Sequence, residues 1–380
     1  MKRIITIGIG GAIIAAAALA GTTSFFTPSG GGGFEQLEAW TAVFDQEDAA
    51  RSHVFDYVAQ RSGFRADGVA VINGEPVTPD NAVIVPYDLR RPLLDPRQDA
   101  GAVVLTGFNL AATTTAAMVL DNHPRLLVLL AVPEDAGGQQ AFAKAYEARG
   151  FATEIIDGVT VRHKGEDGKL DPAMMNMADP FHGESGWSQR VAYVNGTLAG
   201  AATWDGIRQG LAGLAQNAEC QTCLPWREML ASLKGATGNG AYLVQASGWN
   251  ADAFKVEAPI SEAGLAIQIS PLPTFDTALF AVTEKGSTFS AHLVVRFSSV
   301  SDAEKAVAEI TKRMNAAVTL RGRPETRLKV EKDSVQPVGD AGAAVVVLTF
   351  VSQDSQAAAT AISTMAQLVM AQEFLGLAWN

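Results

Sequence analysis

The chain has 380 residues, 48% of them hydrophobic, and a formal net charge of −11 at pH 7. That length supplies apolar material for two domains or one large double domain. An acidic chain without basic clusters is a poor partner for nucleic acid or for an anionic lipid surface.

Met1-Lys2-Arg3 is a short basic start, and Ile4 to Ala20 is uncharged and rich in Ile and Ala. Ala18-Leu19-Ala20 is a small-x-small cleavage pattern, so residues 1–20 read as a secretory signal peptide. The competing reading is a retained membrane anchor over residues 4–26, because the next charge after Arg3 is Glu35. Either reading puts the rest outside the cytoplasm, in the periplasm or tethered to the inner membrane. Residues 27–33 (TPSGGGG) are a flexible linker.

Residues 34–85 read as a helical segment followed by a hairpin. Phe34, Leu37, Trp40 and Phe44 share one helix face, and Val54, Tyr57 and Val58 continue it, giving a helix over 34–61 broken near Asp45. Val69 to Glu75 reads as a strand with an Asn73-Gly74 turn.

Residues 86–256 form a first α/β unit. Ala102 to Thr106 reads as a strand, and Asn109 to Leu120 as a helix of small residues. Leu126 to Val132 is seven apolar residues without a charge, which fits a strand covered on both faces. Phe142 and Tyr146, four apart, share a helix face, and Arg149-Gly150 closes that helix. Strands follow at 158–161, 190–194 and 198–202, then a helix over 204–217.

Residues 257–380 form a second unit, separated by Pro259, Pro271 and Pro273. Before its main run, Leu265 to Ile269 and Ala278 to Thr283 read as strands. Ala291 to Phe297 is a strand, and Ser301-Asp302-Ala303-Glu304 a capping box. Ala303, Val307, Ile310 and Met314 make a helical stripe. Strands at 327–331 and 343–351 and a helix from Ser355 complete it. The fold class is therefore α/β or α+β: two pseudo-repeated β-α-β-β-α units, with helices on one face of mainly antiparallel or mixed sheets, preceded by a helical N-terminal segment.

Two places could carry chemistry. Cys220 and Cys223 are the only cysteines, and in an oxidising compartment their Cys-x-x-Cys spacing reads as a disulfide pinning a turn. The segment reads as following a helix, which would leave a thiolate without help from a helix N-terminus. The 163–187 stretch is long beside its counterpart in the second unit, and such insertions tend to carry function. It holds His163, Met174, Met175, Met177 and His182, thioether and imidazole donors that suit copper(I); the plainer reading packs the methionines on the body.

No Gly-x-Ser-x-Gly, phosphate loop or His-Glu-x-x-His is present, so no catalytic residue and no bound cofactor is nominated. The expectation is an exported, non-catalytic envelope protein binding a small molecule or protein partner through the 163–187 loop or the cleft between units. The alternatives are an exported hydrolase with residues assembled from distant positions, and a periplasmic copper-binding protein.

Overall fold

A computed structural model describes residues 33–44, 53–59, 70–72, 75–77, 105–108, 110, 113, 115–119, 127–132, 138–176, 179, 181, 186–215, 220, 223–256, 267–316, 318–321, 328–339, 342–352 and 355–379. The leader or anchor and most of the linker lie outside this set.

Helix α1 (Gly33–Phe44) buries Leu37, Trp40, Val43 and Phe44, as the stripe requires. The expected continuation to residue 61 is not helical: His53–Ala59 is strand β1. Its sequence, HVFDYVA, is rich in β-branched and aromatic residues and buried on both faces, so apolar residues fall on both parities and imitate a helical stripe. The small hairpin of β2 (Ala70–Ile72) and β3 (Glu75–Val77) lies where the Asn-Gly signal placed it. The expected helix over 109–120 is instead strand β4 (Thr115–Val119), fully buried; small residues there serve close sheet packing. The strand expected at 102–106 is helical at Leu105 and Thr106, and residues 102–104 lie outside the described set.

The chain continues with β5 (Leu127–Ala131), α2 (Gln139–Ala148), β6 (Ala152–Ile156), β7 (Val159–Lys164), β8 (Gln189–Val194), β9 (Thr197–Ala201) and α3 (Trp204–Ala215). Helix α4 (Leu224–Thr237) and β10 (Tyr242–Asn250) follow. The rest comprises β11 (Phe275–Lys285), β12 (Thr288–Phe297), α5 (Val300–Asn315), β13 (Lys332–Val338), β14 (Ala343–Ser352) and α6 (Ser355–Met370). Residues 267–269, read as strand, are irregular, and the strand expected at 327–331 begins at Lys332. The cap of α5 is Ser299, not Ser301: its extended backbone (φ −144°) lets its hydroxyl accept the Asp302 N–H at 3.1 Å.

Twelve strands make one antiparallel sheet in the order β13-β14-β12-β11-β10-β1-β4-β5-β9-β8-β7-β6. Helices cover both faces, not one. Along β5, Leu127, Leu129 and Ala131 join the core beneath α1 and α3, whereas Val128 and Leu130 join a second core with Phe142 and Tyr146 of α2. Period-two alternation sends neighbouring residues to opposite layers. The far half repeats the division. Thr277 and Arg296 reach Met229 and Glu228 of α4, while Phe280, of opposite parity, meets Phe254 and Phe374.

Candidate binding site at the Arg162 groove

Helix α2 lies over the end of the sheet nearest β6. Its N-cap, Gly138, is extended and offers no side chain to the first-turn amides. Phe142 and Tyr146 are buried against the sheet and anchor the helix. Gln139, Gln140, Phe142 and Ala143 form one wall of a cavity of about 330 Å³; Thr160 and Arg162 of β7 and Tyr193 of β8 form the other. The Tyr193 ring is held by Phe108 at 4.9 Å and Phe142 at 6.4 Å between centroids.

Arg162 decides the chemistry of this groove. Its Nε is buried and has no hydrogen-bond partner. Among the described residues no carboxylate pairs with it. Two nearby cations are engaged. Arg149 pairs with the buried Asp179 and donates to Leu105 O at 3.0 Å, and Lys164 Nζ donates to Arg149 O at 2.8 Å. Burial pushes the Asp179 carboxyl above its usual range, against the pull of Arg149. A guanidinium left with an unused donor, beside two amides and an aromatic wall, is suited to a carboxylate or phosphate on a partly apolar ligand.

The described parts of the 163–187 stretch are pinned rather than open. Asp171 N donates to Gly186 O (2.8 Å), Ser188 N to Lys169 O (2.9 Å), and Trp204 N to Asp167 Oδ1 (2.8 Å). Arg190, 1% exposed, donates to Ala202 O and Gly165 O. Phe181 lies on Gly200, where a Cβ would sit 2.1 Å from its ring. His163 places its ring 4.9 Å from that of Trp204, on the face opposite Arg162 by alternation. Met174 lies in a 3₁₀ turn (Pro172–Met174), and Met175 is 55% exposed. Met177 and His182 lie outside the described residues. Among the described residues no three His, Cys, Asp or Glu side chains are grouped as metal ligands.

Cys220 and Cys223 form a disulfide with Cα atoms 5.4 Å apart. The pair opens a helix, contrary to the sequence expectation: Cys223 is the N-cap of α4, and its N–H points at Cys220 Sγ at 3.2 Å. Pro225, in the first turn, is the signal for that start.

A second polar constellation lies where β1 meets β10. His53 Nε2 is 2.9 Å from Ser247 Oγ and 3.2 Å from Asp56 Oδ1, and its ring stacks on Trp249 at 3.8 Å. The set contains the residue types of a hydrolase triad, but both contacts fall on one ring nitrogen. A triad needs the carboxylate on the other nitrogen. Ser247 is 3% exposed in mid-sheet, so this is a packed polar cluster.

The groove is lined by no residue of the 163–187 stretch. Arg162 gives no sequence signal of its own, because only the fold brings α2 beside it.

No protein-family model matches the chain. No curated protein matches it. Among solved structures, crystal form I of TP0453 aligns over 85% of this chain and 96% of that one, with 11% identity and a TM-score of 0.35. Crystal form III of TP0453 aligns over 85% and 97%, with 12% identity and a TM-score of 0.34. Among the described residues, no helix is long and apolar enough to cross a membrane.

Proposed function

We propose that this chain is an exported, non-catalytic binding protein of the bacterial envelope, and that its ligand lies in the groove between α2 and β7, held through an anionic group by Arg162. The observation that carries the reading is Arg162, which lines the cavity, has no carboxylate partner among the described residues and keeps a buried Nε without a hydrogen-bond partner. A buried donor without a partner is costly, and a ligand oxygen removes that cost. Export rests on the basic start and apolar run of residues 1–20, and the disulfide suits an oxidising compartment.

The scaffold reads as a duplication. β5, β9 and β8 are adjacent in that order, and so are β12, β14 and β13. In each set a helix follows the first strand and another follows the hairpin. The first copy adds the β6–β7 hairpin, and β7 supplies Thr160 and Arg162 to the groove. The extra piece in one copy therefore builds the site, as expected of an insertion on a shared scaffold.

The test is calorimetric titration of the full chain with succinate, glutarate, octanoate and inorganic phosphate. At least one anion binds, and Arg162→Gln weakens it by about tenfold or more, the value of a charge-assisted hydrogen bond. No binding by the unaltered protein, or equal binding by the variant, ends the reading.

A further inference from the structure

Strand β6 ends the sheet, with β7 as its ladder partner and, among the described residues, no strand on its other side. Residues 152–155 are all exposed, Ile155 at 73%, the most exposed large apolar side chain among the described residues. The opposite edge, β13, carries Lys332 and Pro337, residues that discourage pairing. β6 (ATEII) carries neither. Its register leaves useful groups free. Asp157 (φ 49°) and Gly158 (φ 82°) make a two-residue turn, so Ile156 and Val159 form the hydrogen-bonded closing pair. Alternation then points the N–H and C=O groups of Thr153 and Ile155 away from β7, toward the free edge.

Those two residues also share the groove's face. Thr153 is the cross-strand partner of Arg162, and Ile155 that of Thr160. We propose that β6 accepts an extended polypeptide segment as an added antiparallel strand, with an apolar residue beside Ile155 and, two residues later, a Glu or Asp beside Thr153 whose carboxylate meets Arg162. This rests on the reading of Arg162 as an anion site and names its ligand as an acidic side chain. The added backbone would lie two strand spacings, roughly 10 Å, from β7. Extended Arg and Glu side chains cover that span, and Thr153 between them is small. Main-chain ladder bonds supply affinity, and the unpaired guanidinium selects the acid. A free small anion would leave both the edge and Ile155 uncovered. The chain's own β6 is a poorer occupant, since pairing symmetric about its central residue sets two Glu154 carboxylates face to face.

The probe is a fluorescein-labelled Ser-Thr-Val-Thr-Glu-Thr-Ser peptide, followed by anisotropy with the full chain. Two companions accompany it: one with Gln replacing Glu, and one N-methylated at Val and Glu. The parent binds, the Gln peptide binds about tenfold more weakly, and the N-methylated peptide does not bind. Arg162→Gln, with an unchanged circular dichroism spectrum, abolishes the difference between the Glu and Gln peptides. Equal binding of the N-methylated peptide overturns strand addition. Equal binding of the Glu and Gln peptides to the unaltered chain overturns the Arg162 pairing. Binding of small carboxylates without binding of any peptide overturns this inference and leaves the anion site standing, whereas failure of both probes removes both. Sedimentation showing a dimer abolished by Ile155→Lys, which the peptide does not displace, assigns the edge to a second copy and also overturns it.

Discussion

Arg313 shows how single charged residues are spent in this core. It is 1% exposed, and its guanidinium donates to Glu309, to Ala378 O at 2.8 Å and to Ser270 O at 2.5 Å. It thus ties α5 to the loop before β11 and to the C-terminal residues. Arg313→Met removes these bonds and leaves the Ala378 and Ser270 carbonyls without their donor, while Glu309 keeps Lys312 and the Ser270 N–H; the loss is expected at about 1–3 kcal/mol, and urea denaturation measures it as a lowered midpoint. His292 makes the opposite kind of demand. It is buried, bonded to Thr283 (2.8 Å) and Thr349 (3.1 Å), and burial lowers its pKa to about 3. A group whose folded pKa is depressed stabilises the fold above its unfolded pKa, near 6.5, and loses that stabilisation as pH falls toward the folded value. The unfolded chain binds the extra proton in that window, so this residue costs the fold about 1.4 kcal/mol per pH unit between about 6 and 3. His292→Gln should flatten the stability profile there relative to the unaltered protein; parallel profiles would show that the folded state takes up this proton as readily as the unfolded one. Neither role was legible in the sequence. Arg313 sits in a solvated-looking KRMN stretch, and His292 interrupts an apolar run without a motif.

Elements were legible where one period dominated. Of the α5 stripe, Ala303, Ile310 and Met314 are buried and Val307 is half-buried, and β5 is covered on both faces as its uninterrupted apolar run implied. β1 and β4 were not, because a central strand with two buried faces has no alternation to separate it from a short buried helix. The loop from Gly165 to Ser188 was legible as long but not as anchored, since its anchors are distant partners. One of them can be removed cleanly. Gly200 leaves space for the Phe181 ring, and any Cβ there falls 2.1 Å from it. Gly200→Val should expel Phe181, cost about 1–3 kcal/mol as overpacking does, and expose the loop to trypsin at Lys169. A cleavage rate equal to that of the unaltered chain would mean that the polar anchors suffice without the aromatic one.

At the scale of the molecule, the proposed boundary at residue 257 falls between β10 and β11, strands that pair over Tyr242–Asn250. Their seam is dry: Leu243, Ala246, Ala278 and Phe280 are all at most 1% exposed. Helix α4 belongs by sequence to the first unit, yet it packs on β11, β12, β13 and β14 of the second. Its Glu228 is bonded to Arg296 at 2.6 Å, with both largely buried. Breaking that pair by truncation leaves an uncompensated charge. Cutting at 257 also bares the β10 edge, a template for aggregation. The chain on either side of residue 257 is therefore expected to unfold as one cooperative body, because α4 from before that point covers strands that follow it. Differential scanning calorimetry of residues 27–380 should give one transition, with calorimetric and van't Hoff enthalpies in agreement. The fragment 27–256 should be insoluble or lack a transition. Two resolved transitions, or a fragment that melts cooperatively, would restore the boundary to a division between independent domains and confine the groove's energetics to the first of them.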